Sequence, residues 1–171
     1  MGWLVRTQPR SLFDNTPLVE LLQQMIDFER FRDALDAGKL RALAITASSY
    51  TSGHHVTYYQ SRMPVPPWSR IQRLACETEL DIDHLLASVA IPFVFPAVSL
   101  ALNGRHEYFG DGSIRQVAPI SPAIHLGAER VLIIGAGHIE HGMSPPAHTG
   151  SQYVYPSLAQ IAGHALSSIF L

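Results

Sequence analysis

One stretch, residues 107–137, constrains the fold of this chain more than any other. It reads EYFGDGSIRQVAPISPAIHLGAERVLIIGAG, which is an aromatic strand-like run, a Gly-Asp-Gly corner, an apolar helical run marked by proline and a fully apolar run. Two strands joined through a helix usually belong to one sheet that the helix covers. The stretch therefore predicts an α/β fold, with at least one strand–helix–strand unit between Tyr108 and Gly135.

The composition suits one globular domain of this class. The chain has 171 residues, of which 47% are hydrophobic and 15% charged, so it can bury a substantial core. Its formal net charge is -2 and it contains no basic run or basic–aromatic pattern, which argues against a nucleic-acid partner. The single cysteine, Cys76, fits a reducing compartment.

Targeting signals do not stand out in the sequence. The start MGWLVRTQPR lacks the apolar segment of a signal peptide. No apolar run approaches the ~20 residues that a membrane-spanning helix needs. We therefore expect a cytoplasmic protein with at most a peripheral contact at a membrane.

The first regular element is a helix predicted over residues 14–28. Thr16 can cap it, Pro17 suits its first helical position, and Glu20 fits the positive first turn. The apolar residues of this segment predict a stripe that faces the core: Leu18, Val19, Leu22, Met25 and Ile26.

A strand is predicted over Leu40–Ser49, where both alternating faces are apolar, as in a strand of a covered parallel sheet. The other predicted elements are a short helix over 31–38 stopped by Gly38, a turn at Ser52 and Gly53 with a strand after it, a loop at Pro64, Pro66 and Pro67, a helix over 81–90, two strands hinged at Asn103 and Gly104, a helix over 121–128, a buried strand over 130–137 and an amphipathic helix over 157–171. The last helix runs to Leu171 without a capping residue, which favours a chain that has been cut.

The order of these motifs closely resembles the second half of the patatin-like phospholipase domain. In that family an Ala-Ser-x-Ala-x-Pro-x-x-Phe-Pro stretch precedes an Asp-Gly motif, and a helix ending in Gly-Ala then leads into a Val/Ile strand. The residues that carry the resemblance are Ala87, Ser88, Ala90, Pro92, Phe95, Pro96, Asp111, Gly112, Gly127 and Ala128. The resemblance covers most of residues 11–137 and implies a three-layer α/β/α sheet that is incomplete at its N-terminal side.

The resemblance implies a serine-type acyl-ester hydrolase that acts on phospholipid or a related ester with a Ser-Asp pair and no cofactor. A serine hydroxyl is a weak nucleophile until a base takes its proton, and a partly desolvated carboxylate can be that base. By position, Asp111 is the aspartate. Gly110 and Gly112 would shape the corner by letting the strand end turn sharply and by leaving room for substrate.

The nucleophile of the family lies in a Gly-x-Ser-x-Gly elbow. No serine here has that context, since Ser113, Ser144 and Ser151 all fail the pattern, and no glycine-rich triplet precedes Gly53. We therefore expect residues 1–171 to be the C-terminal portion of a single domain whose nucleophile-bearing portion is missing. Alone, this portion should be inactive, and its open sheet edge and apolar surface should make it self-associate.

Two alternatives to a catalytic Asp111 stay open. In the first, Asp111 is an ordinary turn residue, which is the commoner role of the aspartate in Gly-Asp-Gly sequences. Alternatively, the same half-fold is a non-catalytic module that binds lipid or a protein. A dinucleotide site at VLIIGAGHIE is disfavoured because Glu140 replaces the third glycine and Pro145 and Pro146 interrupt the helix that should follow.

Other polar and aromatic residues have simpler interpretations. His138, Glu140, His141 and His148 lie in a proline–glycine loop and are interpreted as solvated residues, not as a metal site. The pair His54 and His55 is interpreted as part of a turn, and Ser88 as a helix residue near the site. Four aromatic residues are interpreted as core that also offers a lining for an acyl pocket: Phe93, Phe95, Tyr108 and Phe109.

Overall fold

The computed structural model describes residues 11–115 and 120–134. The chain divides into two compact units, Met1–Glu129 and Arg130–Leu171. All the described helices and strands belong to the first unit.

The first unit contains an open six-stranded sheet with the strand order β3-β4-β2-β1-β6-β5. Its strands are β1 (Ala42–Ser49), β2 (His55–Ser61), β3 (Ser69–Arg70), β4 (Arg73–Glu77), β5 (Val98–Leu102) and β6 (Arg105–Asp111). The helices are α1 (Thr16–Met25), α2 (Phe28–Asp36), α3 (Ile82–Val89) and α4 (Ser121–His125), and a 3-10 turn covers Gly112–Arg115. The mixture of helices with one sheet confirms the predicted α/β class.

The directions of the strands differ from the prediction for β1. Both of its neighbours, β2 and β6, run antiparallel to it, and only β2 and β4 pair in parallel. An apolar pattern on both faces reports that both faces are covered, but it carries no information on the direction of the neighbouring strands. The sheet is therefore mixed.

One face of the sheet carries the hydrophobic core. Tyr58, Phe109 and Val56 are its largest fully buried side chains, and Ala87 of α3 packs with them. Asp81 caps α3 by accepting hydrogen bonds from the backbone N–H groups of residues 83 and 84. The cap fixes the start of α3, so that its other end lies beside the end of β6.

The helix α1 forms where it was expected, but its details differ. Thr16 is its first residue and not its cap, because Asn15 holds the cap position and the side chain of Asp14 accepts hydrogen bonds from Thr16. Glu20 lies beyond the first turn. The apolar stripe is not fully buried, and Met25 is 74% exposed, because α1 packs mainly against α3 and not on the sheet.

The strand predicted over residues 130–137 is absent from its described part, residues 130–134. Leu132 and Ile134 are 86% and 89% exposed, so the prediction of a buried strand is wrong there. An apolar run becomes a strand only where a partner strand offers free backbone groups. The expected strand–helix–strand unit therefore ends at α4 in the described chain, and the helix predicted over 157–171 lies outside the described residues.

The structure adds one strand pair that the sequence did not predict. β3 and β4 form a tight antiparallel pair directly after the proline-rich loop. The β5–β6 hairpin, in contrast, forms as expected, with positive φ at Asn103 and Gly104. Gly38 and Gly127 likewise have positive φ after α2 and α4.

Candidate functional site

Asp111 is the last residue of β6 and lies where that strand leaves the sheet. It is half-buried and is the register partner of Ala47 in β1. Its backbone N–H donates a 2.9 Å hydrogen bond to the carbonyl oxygen of Ala90, the residue that ends α3. The backbone of Asp111 is thus held from two sides, by a central strand and by the end of the core helix.

The carboxylate of Asp111 is oriented through one of its two oxygens. Oδ1 accepts a 2.8 Å hydrogen bond from the backbone N–H of Ser113. Within the described part of the chain, the other oxygen has no hydrogen-bond donor. An ionised carboxylate accepts through both oxygens, so the second one is available to a hydroxyl that approaches this corner.

Tyr50 is the ionisable neighbour of this carboxylate. Burial, and secondly the negative charge of Asp111, raise the pKa of the Tyr50 phenol. Tyr50 therefore stays a neutral hydroxyl at physiological pH and adds no second negative charge to the corner.

Gly110 and Gly112 are closely packed, and neither has an unusual backbone conformation. Neither has positive φ, unlike four other glycines of the described chain. A Cβ on Gly110 would overlap the hydroxyl end of Tyr50, and one on Gly112 would overlap the carbonyl group of Thr46. The expectation that glycine freedom turns the strand end is therefore wrong, whereas room for substrate beside Asp111 stays a prediction.

The loop between α3 and β5 carries a strained aromatic residue. Phe93 has φ of 67°, which is rare for a bulky side chain, and its side chain is 71% exposed. Backbone hydrogen bonds of 2.8 and 2.9 Å hold the loop, from the N–H groups of Leu12 and Phe13 to the carbonyl oxygens of residues 93 and 94. Strain of this kind costs on the order of 1–3 kcal/mol and is concentrated at functional sites.

Only part of the predicted aromatic core is found in the core. Phe109 is fully buried, but Phe93 and Tyr108 are 71% and 59% exposed, and Phe95 is half-buried. In β6, alternate residues point to opposite faces, so Tyr108 must face away from the side that buries Phe109. The interpretation of Phe93 and Tyr108 as core residues is wrong.

A serine–carboxylate pair that the sequence did not predict lies in the same strands. The hydroxyl of Ser49 donates a 2.6 Å hydrogen bond to Glu107, and Ser52 donates another of 2.6 Å. The Ser49 oxygen also accepts from the backbone N–H groups of Thr51 and Ser52 at 3.1 and 3.0 Å. With its lone pairs occupied, Ser49 stabilises the turn after β1 and is poorly suited to attack an ester.

Glu107 is equally unsuited to act as the base of that pair. The hydrogen bonds from Ser49 and Ser52 lower its pKa, and electrostatic interactions with His54 and Arg105 act in the same direction. A carboxylate stabilised in this way has a weaker affinity for a proton. The pair brings together residues 58 positions apart, which no local sequence signal reveals.

Buried polar groups lie in the row of residues next to Asp111. Ser48 is the register partner of both Gly110 and His55. The Ser48 side chain is only 3% exposed and that of His55 only 6%. The Ser48 hydroxyl and the Nδ1 atoms of His54 and His55 have no hydrogen-bond partner among the described residues. His55 begins β2, so its interpretation as a turn residue is wrong.

Other predicted candidates are less informative. Ser88 is a half-buried residue of α3, as expected for a helix residue near the site. The histidine-rich segment at residues 138–148 and the serines at 144 and 151 lie outside the described residues. Among residues 11–115 and 120–134, no cluster of metal-ligating side chains occurs. No helix in the same ranges is long and apolar enough to cross a bilayer.

These features define a class of α/β protein. It has an open mixed sheet and presents a carboxylate between two glycines, where a strand ends. The patatin-like phospholipase family model matches residues 2–124, which are 123 of the 171 residues, and the chain therefore belongs to the patatin-like phospholipase family. The match includes Asp111 and its flanking glycines. No curated protein and no solved structure matches the chain.

Proposed function

We propose that this chain carries the acid half of a serine-type lipid acyl hydrolase. Asp111 is the base of a Ser-Asp dyad, and Gly110 and Gly112 shape its corner. The serine comes from a Gly-x-Ser-x-Gly segment that the 171 residues do not contain. Membership of the patatin-like phospholipase family is the observation that carries this proposal.

In the proposed reaction the serine hydroxyl donates its proton to the free oxygen of Asp111 while its oxygen attacks the ester carbonyl. The tetrahedral intermediate expels the alcohol, which takes the proton from Asp111, and an acyl-serine remains. A water molecule then repeats the sequence and releases the fatty acid. The hydrogen bond from Ser113 N–H orients the carboxylate for both steps without occupying both of its oxygens.

The exposed ring of Phe93 supports an ester with an apolar part as the substrate. Phe93 has a strained backbone and an exposed ring, and it lies three positions after Ala90. The carbonyl oxygen of Ala90 accepts the hydrogen bond from the backbone N–H of Asp111. Burial of an exposed phenyl ring against an acyl chain is favourable by about 2 kcal/mol, which compensates for strain of that order. The substrate class we propose is therefore a phospholipid or a related fatty-acyl ester.

A non-catalytic module that binds lipid or a protein is the second candidate. The observation that favours it is the lack of any Gly-x-Ser-x-Gly sequence in the chain. On this alternative, the aspartate corner and the exposed Phe93 belong to a binding surface without turnover.

Ester hydrolysis by two forms of the protein tests the proposal. The 171-residue chain alone should hydrolyse a short-chain p-nitrophenyl ester no faster than its Asp111→Asn variant. The chain joined to the segment that its own gene encodes upstream should be active, and Asp111→Asn should lower its kcat by a factor of about 1,000 or more. The matched control is Asp36→Asn, which removes an exposed carboxylate at the end of α2.

The outcomes separate the two candidates. If the 171-residue chain alone hydrolyses the ester and Asp111→Asn abolishes this activity, the nucleophile does not come from outside the 171 residues. Full activity of the joined protein carrying Asp111→Asn would remove Asp111 from the mechanism. An upstream sequence without Gly-x-Ser-x-Gly would favour the binding module.

A further inference from the structure

The turn between β3 and β4 has an unusual composition. It consists of Ile71 and Gln72, where Ile71 is 94% exposed and Gln72 has φ of 62°. Positions of tight turns with positive φ normally carry glycine or asparagine, and a β-branched apolar residue gives no stability to a turn tip. The turn is nevertheless held in place, because the Gln72 carbonyl oxygen accepts a 2.8 Å hydrogen bond from the N–H of His55.

Two arginines flank this exposed isoleucine. Arg70 and Arg73 are direct register partners across the turn, and neither has an ion pair with a carboxylate in the described chain. Like charges placed directly opposite each other on a strand pair are destabilising. An anion bound between them would remove that repulsion.

Within the described residues, the pocket beside the turn adds no negative charge. Arg70 and Arg73 line a small pocket together with four polar residues, His55, Thr57, Ser121 and His125, and none of the described residues in its wall is acidic. Trp68 stacks on Tyr59 and His125 with ring centroids 5.1 and 4.8 Å apart, which fixes the segment before β3. The described wall of the pocket is therefore firmly held and carries two positive charges.

We propose that the Arg70–Arg73 turn docks on an anionic phospholipid surface, with Ile71 inserted among the lipids and the two arginines bound to lipid phosphates. A soluble anion would account for the arginines but would leave the exposed side chain of Ile71 in water. A lipid surface offers phosphate and hydrocarbon within one layer and so satisfies all three residues. This docking does not depend on the proposed hydrolysis.

The position of the turn gives the docking a consequence for the aspartate corner. Arg73, His55, Ser48 and Gly110 form one row across β4, β2, β1 and β6, and Asp111 follows Gly110 directly. Three strand spacings of about 4.8 Å each separate Arg73 from Gly110, which is roughly 14 Å. A membrane bound at the turn would thus lie at about this distance from the backbone of the aspartate corner.

Vesicle flotation with the full 171-residue chain tests the docking. Flotation in a density gradient is suitable because protein aggregates sink, whereas bound protein rises with the vesicles. We expect the chain to float with vesicles of 70% phosphatidylcholine and 30% phosphatidylglycerol, and not with pure phosphatidylcholine. Arg70→Gln should weaken the partition coefficient about 5-fold and Ile71→Ser about 10-fold.

Matched controls lie at the opposite end of the sheet. Lys39→Gln removes one exposed positive charge before β1, and Met63→Ser removes one side chain that is 57% exposed after β2. Both controls should bind as the parent chain does, and circular dichroism should show all four variants folded. Asp111→Asn should also bind normally, which separates docking from hydrolysis.

Four results would overturn the docking. The first is equal binding to neutral and anionic vesicles. The second is unchanged binding of folded Arg70→Gln and Ile71→Ser variants. The third is a loss of vesicle binding in Lys39→Gln or Met63→Ser as large as in the two turn variants. That result would place the lipid contact at the other end of the sheet. The fourth is full displacement by 10 mM inorganic phosphate alone, which would assign the turn to a soluble anion. On an anionic surface, 300 mM sodium chloride should inhibit binding far more than 10 mM phosphate does, because inhibition there follows the screening of charge.

Discussion

Gly112 lies directly against the backbone carbonyl group of Thr46, so closely that a methyl group on Gly112 would overlap it. The contact joins the residue after Asp111 to the central strand β1. Backbone atoms of a central strand cannot move aside without disturbing the pairing of β1 with β2. The position of the aspartate corner therefore depends on a residue without a side chain.

Gly112→Ala should destabilise the protein much more than Gly110→Ala. The first substitution meets the fixed backbone of Thr46, and we expect a cost of about 2–3 kcal/mol. The second meets only the hydroxyl end of Tyr50, which is 48% exposed and can rotate, so we expect less than about 1 kcal/mol. Urea unfolding of both variants measures the difference, and equal costs would refute the packing argument.

Glu107→Gln should remove the acid sensitivity that this carboxylate confers. Because the folded pKa of Glu107 is lowered, its contribution to stability is present above the unfolded value of about 4.3 and is lost as the pH falls through the folded value. We expect the variant to lose about 1–2 kcal/mol at pH 7 through weaker hydrogen bonds from Ser49 and Ser52, and to show a smaller loss at pH 4. Unfolding at both pH values tests this, with Glu20→Gln as the control at an exposed carboxylate. A loss that is independent of pH would contradict it.

His55 should make the protein less stable just below neutral pH. Burial, and secondly the charge of Arg73, lower its pKa in the folded state. The unfolded chain therefore takes up the proton first, and stability declines as the pH falls below about 6.5, by at most ~1.4 kcal/mol per pH unit, until the folded pKa is reached. Between pH 7.5 and 5.5, the free energy of unfolding should decline less in His55→Asn than in the parent chain. The exposed control His106→Asn should show the same decline as the parent. An identical decline in all three proteins would exclude His55 as its source.

The chain should self-associate through the side of β1 that β6 leaves unpaired within the described residues. β1 pairs with β2 over Ala42–Ser48 but with β6 only over Ala47–Ser49, and an apolar groove of about 520 Å³ lies between the open part and α4. Light scattering at increasing concentration should show oligomers, and Ala44→Lys in the groove should reduce them, since lysine opposes edge pairing. Ala37→Lys is the control at an exposed position after α2. A monomer at all concentrations would contradict the prediction.

The sequence by itself determined the elements whose signals are local. Asn103 and Gly104 predict their hairpin because both residues tolerate positive φ, and Gly38 ends its helix for the same reason. The family motif around Asp111 is also local, since the spacing from Ala87 to Gly112 carries it. Backbone preferences over a few residues are sufficient for such features.

The tertiary structure alone decided which distant residues meet. The antiparallel direction of both neighbours of β1, the exposure of residues 130–134 and the hydrogen bond from Ser49 to Glu107 all depend on strand pairing between segments far apart in the chain. The same pairing places Ala90 and Tyr50 around Asp111. Local patterns encode backbone angles and the burial of a face, whereas register and partner follow from the free energy of the whole sheet.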